Sequence, residues 1–395
     1  MHLFHGAPGD DLDRLRRLLD GIPLALELAA GCALAPGRIL ERLAGPYGLL
    51  PAAADRAGKL LAVLRLAHEL LAPRERVLLR RLAVFAGTFD VALARAVCGD
   101  GGILRGSEVP RLLDRLAAAR LLTGSYALGG AVREYAAERL REAGEESLLR
   151  DRHLRAVCEA YEACHATAAL ARRRPWQERV EALLRARELA AECEAALAHA
   201  VERGEAVLGL RLGRSAATLG VSCADALAEL APRTAGELAD CALVLSGSAR
   251  GEAEPVMAGV EGLRARGYSY WLGVGYNAAV RVCFAAGRSA QARRYLRELE
   301  AAAGDDPVAL AGARLARGDL ALLAGEALTA RRHAMAALEL AREAGEPRAI
   351  VSALRLLASA AEAAGDPEGA ERHRERARPL LRAMGAGPED VGAGT

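Results

Sequence analysis

Three observations predict a nearly all-helical chain. Hydrophobic residues fill 52% of the 395 positions, yet aromatics supply only 4%, so the core must be mostly alanine, leucine and valine. That composition suits close helix packing and disfavours sandwiches and barrels, whose strands favour β-branched and aromatic side chains. Apolar residues recur at helical spacing through most of the chain. Finally, glycines at 247, 287, 325 and 365 stand 40, 38 and 40 residues apart, the mark of an internal repeat.

From Asp10, Leu12, Leu15, Leu18, Leu19 and Ile22 share a helical face until Gly21 to Pro23 breaks it. A second helix runs from Leu24 to about Ala33. Pro36 opens a third, bearing Ile39, Leu40 and Leu43, which Gly45-Pro46 stops. Residues 1–58 hold too few helices for a core of their own, and they read as the end of a domain whose beginning is missing.

Residues 59–144 form the next unit. Pro73 fits the first turn of a helix carrying Val77, Leu78, Leu82 and Phe85, with Gly87 as its end. Asp90 is the expected N-cap of a helix with Val91, Ala94 and Val97, closed by Gly99. A third helix carries Val109, Leu112, Leu113 and Leu116. Then Leu121 to Thr123 and Tyr126 to Leu128 flank Gly124-Ser125, a pair suited to a tight hairpin. A last helix bears Val132, Tyr135, Ala136 and Leu140. Three helices, a hairpin and a helix predict a winged-helix-like unit. Its third helix offers Arg111, Arg115 and Arg120 but no Asn, Gln or Ser/Thr set for base edges, so a packing role is expected of it.

Residues 145–384 are expected to be helical repeats. Val157, Tyr161 and Cys164 mark one helix, and another begins near Trp176 and continues past Leu183, Leu184 and Leu197 to Gly204. Five residues beyond the last three repeat glycines lie Ala292, Ala330 and Ala370, and twelve beyond them Leu299, Ala337 and Ala377. The first copy has Glu252 and Gly259 there and fits less well. Small residues at fixed offsets from a turn let antiparallel helix pairs stack into a tetratricopeptide-like α-solenoid. The glycine-rich stretch 385–395 is expected to be a disordered tail.

Charge and cysteine usage narrow the function classes. Fifty-three Lys and Arg against 51 Asp and Glu give a formal charge of +2, which predicts no overall attraction to nucleic acid or anionic lipid. The run Arg172-Arg173-Arg174 reads as a solvated helix end. The eight cysteines are scattered without a Cys-x-x-Cys pair, as small buried hydrophobes in a reducing compartment would be. Cys158, Cys164 and His165 lack the spacing of a zinc module. His153 and His165 have no Ser or Cys arrangement of triad character near them. The N-terminus lacks the regions of a signal peptide, and no apolar run is long enough to span a bilayer, so a cytoplasmic protein with no membrane partner is expected.

Three stretches in order resemble the large bacterial STAND regulators, the NB-ARC-type ATPases of the SARP, LuxR-type and maltose-regulator kind. They are Gly-Ile-Pro-Leu-Ala-Leu-Glu-Leu-Ala-Ala (21–30), Leu-Leu-Arg-Arg-Leu-Ala-Val-Phe-Ala-Gly-Thr-Phe (78–89) and Val-Arg-Glu-Tyr-Ala-Ala-Glu-Arg-Leu (132–140). The resemblance implies that residues 1–58 are the remnant end of an NB-ARC domain. It also implies that Gly21, Pro23 and Leu24 are the nucleotide-facing residues, with the proline near the adenine of ADP or ATP. A winged helix would then hold the switch closed, and a helical superhelix would sense an inducer or a partner. Where relatives have Leu-Leu-Glu-Thr before the third motif, this chain has Ala127-Leu128-Gly129-Gly130, which loosens the expected hairpin.

The larger departure is chemical. A Walker A loop needs Gly-x-x-x-x-Gly-Lys-[Ser/Thr], because the lysine neutralises phosphate and the hydroxyl binds magnesium. Lys59, the only lysine, follows Gly58, but Leu60 stands in the hydroxyl position and Ala53 in that of the first glycine. The sequence therefore predicts no P-loop and no bound cofactor. It predicts a non-catalytic regulatory scaffold whose repeats bind a protein partner or small inducer, with Pro23 left to pack against the winged helix. The alternatives are a DNA-binding regulator using Arg111, Arg115, Arg120 and Arg133, or a fragment of an ATP-dependent switch.

Overall fold

The computed structural model describes residues 9–45, 48–51, 54–124, 126–170, 174–267 and 270–384. These fall into two compact units, one of residues 1–157 with 191–199, the other of residues 158–190 with 200–395. The fold is all-α: among the described residues the only β feature is one isolated bridge. The expected tail at 385–395 lies outside the described residues.

The first unit opens with α1 (Gly9–Leu18), α2 (Pro23–Gly31), α3 (Pro36–Ala44) and α4 (Arg56–Leu70). Pro23 and Pro36 each take the first helical position, where a missing N–H costs nothing. Leu15, Leu19, Leu28, Ile39, Leu43 and Leu66 are fully buried, because α1 packs on α3 and α2 on α4. The fourth helix supplies the wall that the first three lack. Residue 58, the expected domain boundary, therefore lies within α4.

Next come α5 (Pro73–Leu82), α6 (Val91–Cys98), α7 (Val109–Ala118) and α8 (Gly130–Glu142). Asp90 caps α6 by accepting from the Leu93 N–H at 2.7 Å. Val109, Leu112, Leu113 and Leu116 of α7 and Val132, Tyr135, Ala136 and Leu140 of α8 are all buried. Helix α5 stops at Leu82, short of Gly87. Phe85 lies beyond it, buried, with its ring stacked on Phe89 at 4.4 Å.

The expected hairpin is reduced to a bridge between Thr123 and Ala127, closed by the Thr123 N–H to the Ala127 carbonyl at 2.9 Å. Gly129 already serves as the N-cap of α8, so the second arm is too short to become a strand. Ser125 lies outside the described residues.

Helix α9 (Glu146–His165) runs on into a π-helical turn, Ala166–Leu170. The helix expected from Trp176 to Gly204 is two, α10 (Trp176–Glu188) and α11 (Ala190–Arg203), broken at Leu189. The second unit continues as antiparallel pairs: α12 (Ala206–Thr218) with α13 (Ala224–Leu230), and α14 (Glu237–Arg250) with α15 (Ala253–Ala265). Three more follow: α16 (Tyr270–Ala285) with α17 (Ser289–Ala303), α18 (Pro307–Leu323) with α19 (Ala327–Glu343), and α20 (Pro347–Ala363) with α21 (Pro367–Ala383). The first helices of successive pairs, α14, α16, α18 and α20, pack in series.

Backbone geometry corrects the register of the repeat. The turn glycines are Gly251, Gly287, Gly325 and Gly365, with φ of 72°, 73°, 79° and 77°. After each, the next N–H reaches back five residues: Glu252 to Gly247, Arg288 to Cys283, Glu326 to Ala321 and Asp366 to Ala361, at 2.8–2.9 Å. This is Schellman closure, which needs a left-handed residue that glycine adopts without strain. Gly247 lies inside α14, where an added Cβ would sit 2.9 Å from Val256 Cγ2. Counted from Gly251, the first copy fits: Val256 and Leu263 are buried where later copies bury Ala292 and Leu299.

Among the described residues no single helix is long and apolar enough to cross a membrane. Helices α2 and α3 meet that test only together, bent by 112°.

Candidate functional site

Gly21, Pro23 and Leu24 lie where α1 turns into α2. Asp20 and Gly21 both take positive φ, 51° and 63°, and the Gly21 N–H closes α1 on the Arg16 carbonyl at 3.0 Å. Gly21 and Pro23 are exposed and Leu24 is half-buried. The expectation that Pro23 packs against the following helices is therefore corrected. That contact is made at the other end of α2, where Gly31 approaches the Ala119 backbone too closely for any side chain.

Lys59 stands beside this turn. Asp55 caps α4 by accepting from Gly58 N–H at 2.8 Å, and Lys59, in the first turn, places Nζ 2.6 Å from Asp20. The Gly21 region thus has an exposed proline and a lysine engaged by a carboxylate.

A cavity of about 290 Å³ opens instead at the C-terminal end of α2, lined by Gly31, Cys32, Leu70, Leu71, Glu75 and Arg115 among others. It lies some ~12 Å along the helix from Pro23 at ~1.5 Å per residue. Its polar groups are largely committed. Glu75 accepts from the Ala72 N–H at 2.8 Å and from Arg115 at 3.1 Å. Burial pushes the Cys32 thiol up to about 11, so it is not a nucleophile at neutral pH. The cavity can seat an apolar group.

The solvent face of α7 is mixed in charge. Arg111, Asp114 and Arg115 are exposed together. Arg115 pairs with Glu75, and Asp114 accepts from the Tyr126 hydroxyl at 3.3 Å. Arg133 turns to the Leu128 carbonyl at 3.3 Å. Among the described residues this face therefore carries a carboxylate, Asp114, beside the exposed Arg111, Arg115 and Arg120.

The family-like stretches serve the core. Arg81, almost wholly buried, donates to Glu145 at 2.6 Å and to the Cys98 carbonyl at 2.8 Å, and it pairs with Asp100 at 2.8 Å. Burial alone would push the Asp100 carboxyl up, but the N–H groups of Leu104 and Gly102 and the Arg81 guanidinium hold it at about 2. Glu192, fully buried on α11, accepts from the N–H groups of Ala86 and Gly87 at 3.1 and 2.5 Å and lies 2.7 Å from His153 Nε2. Sequence spacing gives no sign of Glu192, because its partners lie 39 to 106 residues away.

In the second unit α15 and α17 enclose a shallow cavity of about 280 Å³ lined by Glu254, Met257, Glu261, Gln291, Arg294 and Tyr295 among others. Polar residues on the serially packed helices include Asn277 and Arg281 on α16, Asp319 on α18, and Ser352 and Arg355 on α20, each exposed or half-buried. Burial pushes the Asp319 carboxyl up to about 6, against the pull of Arg281. All eight cysteines are free thiols, seven of them buried. Cys158 Sγ faces the Leu208 carbonyl and the His165 ring lies against Trp271 at 5.7 Å. Of the basic run, Arg174 pairs with Glu178 at 2.9 Å; Arg172 and Arg173 lie outside the described residues.

No family model matches the chain. An uncharacterised protein of Mycobacterium tuberculosis is 39% identical over 142 residues, covering 33% of this chain and 36% of that protein. A second protein of the same organism, provisionally named an HTH-type transcriptional regulator, is 38% identical over 141 residues, covering 33% of this chain and 16% of its own length. The match thus spans about a third or less of these relatives. Among solved structures, a STAND protein with a tetratricopeptide repeat sensor from Pyrococcus horikoshii aligns with 96% of this chain and 52% of its own. The TM-score is 0.41 and the identity 14%.

Proposed function

We propose that the chain is a non-catalytic regulatory scaffold of the STAND transcriptional-regulator type, whose helical repeats bind a protein partner or a small inducer. The observation that carries this reading is the serial packing of the first helices of successive hairpins, which brings Arg281 of α16 near Asp319 of α18. Stacked hairpins place side chains from several repeats on one continuous surface, which suits recognition more than catalysis. Similarity over a third of the chain to a protein named for transcriptional regulation supports the setting, as do the three family-like stretches. The winged-helix-like order of α5 to α8 serves packing in this reading: its α7 arginines are mixed with carboxylates, Arg81 of α5 is buried on Glu145 and the Cys98 carbonyl, and the loop after α5 is held by Glu192.

A transcriptional reporter responding to the expressed chain tests this. Arg281→Glu with Arg355→Glu is expected to abolish the response, and Arg111→Gln with Arg120→Gln to leave it unchanged. The opposite pattern, together with salt-dependent DNA binding lost on replacing the α7 arginines, would establish the DNA-reading alternative.

A further inference from the structure

The cavity at the C-terminal end of α2 is walled mostly by alkyl carbon, from Ala67, Leu70 and Leu71 among others, and carries one ion pair, Glu75 with Arg115. At about 290 Å³ it has room for about ten waters at ~30 Å³ each, the size of a small organic molecule. Leu70 is 41% exposed. Apolar surface at the cavity is therefore open to water, and a ligand's hydrocarbon would cover it.

The charge around this space is uneven. The C-terminal ends of two helices line it, with Gly31 and Cys32 from α2 and Ala118 and Ala119 from α7. Such ends carry partial negative charge and carbonyls without helical partners. Among the described residues nothing donates to the carbonyls of Gly31, Cys32 or Ala118. Helix α2 has no basic residue in its last turn, and the one in α7, Arg115, is engaged by Glu75. The end of α4 also reaches the cavity but is closed by Arg76, which donates to the Leu71 and Glu69 carbonyls at 3.0 and 2.6 Å.

Glu75 supplies a carboxylate that is 6% exposed. Its Oε2 accepts from the Ala72 N–H at 2.8 Å, and among the described residues its Oε1 accepts only from Arg115 Nη1, at 3.1 Å. A carboxylate oxygen accepts two hydrogen bonds, so Oε1 has capacity left. Its present donor is a side chain 59% exposed, free to swing outward. The Cys32 thiol, pushed up to about 11 by burial, is neutral at pH 7 and adds no charge.

We propose that this cavity binds a small aliphatic ammonium, its hydrocarbon against Ala67, Leu70 and Leu71 and its N–H groups on Glu75 and the open helix ends. An ammonium brings three donors and a positive charge. An apolar carboxylate brings only acceptors to helix ends that already carry negative charge, and an alcohol brings one donor and no charge. The site lies within the first unit and does not depend on what the repeats bind.

Calorimetric titration of the full chain at pH 7 with n-hexylamine, protonated there as a lysine amine is, and with hexanoate and hexan-1-ol tests it. Saturable binding of hexylamine at one site is expected, at least about tenfold tighter than either of the others. Glu75→Gln keeps an acceptor for the Ala72 N–H and should weaken hexylamine binding by about tenfold or more. Arg115→Gln, at an exposed position, frees Glu75 and should tighten hexylamine binding severalfold, where a carboxylate ligand would lose affinity. Glu254→Gln, in the cavity between α15 and α17, should leave binding unchanged. Absence of saturable hexylamine binding, hexanoate or hexanol binding as tightly, or hexylamine binding that Glu75→Gln and Arg115→Gln both leave unchanged overturns the proposal. Loss in Glu254→Gln alone would assign the amine to the other cavity and overturn it as well.

Discussion

Lys59 Nζ lies 2.6 Å from an Asp20 carboxylate oxygen, so the chain's only lysine closes the turn that carries Gly21 and Pro23. The lysine is mostly shielded and the aspartate half-exposed, at 17% and 47% of side-chain area. Pairs of this exposure contribute about 0.5–1 kcal/mol. Lys59→Met and Asp20→Asn should each lower the free energy of urea unfolding by about that much, and the double variant by no more than the larger single loss. Additive losses would show that the two side chains do not act together.

Gly31 predicts a larger effect than the glycine of the family-like stretch. A Cβ at Gly31 would overlap the Ala119 carbonyl, and both partners are backbone, so neither can swing away. Gly31→Ala should cost about 2 kcal/mol. At Gly21 nothing lies within 4 Å of an added Cβ, and only the φ of 63° resists, at about 1 kcal/mol. Thermal melts of the two variants rank them.

Glu192 holds the loop after α5 through the Ala86 and Gly87 N–H groups while meeting His153. Glu192→Ala leaves these buried groups without an acceptor and should cost about 3 kcal/mol or more. Glu192→Gln keeps one acceptor and should cost less. Hydrogen exchange at the Ala86 and Gly87 amides should rise in both variants, and protection retained in Glu192→Ala would contradict this role.

Asp319 gives stability a pH dependence of definite sign. Its folded value, about 6, lies above the ordinary 3.8, so between these values the folded chain holds the proton more tightly than the unfolded one. Its contribution is present in full below 3.8 and is lost as pH rises through about 6. Asp319→Asn should therefore gain stability relative to the parent above pH 6 and show no gain near pH 4. Asp100, held at about 2, behaves oppositely: its contribution is present above 3.8 and lost as pH falls through about 2. Urea titrations across pH separate the two.

Much of the helical layout was legible because it is local. Asp90 before Val91, Pro73 at a helix start and the apolar spacing in α7 and α8 each depend on neighbours within a turn. The repeat was legible too, but its first glycine was misplaced: Gly247 and Gly251 lie one helical turn apart, and only φ distinguishes the closing residue from one at a helix crossing. Glu192 and Glu346 were not legible. Their partners lie as far as 106 and 167 residues away, and nothing in local spacing records such a pairing. Pro23 shows the reverse case, a recognisable stretch whose prominent residue is exposed while the tight contact falls on Gly31.

The most direct test of the central claim is magnesium-dependent ATP hydrolysis by the purified chain, measured beside Lys59→Met. The account predicts no turnover above the protein-free rate for either. Hydrolysis by the parent chain that is lost in Lys59→Met would contradict it and make Lys59 a phosphate ligand in place of a partner of Asp20.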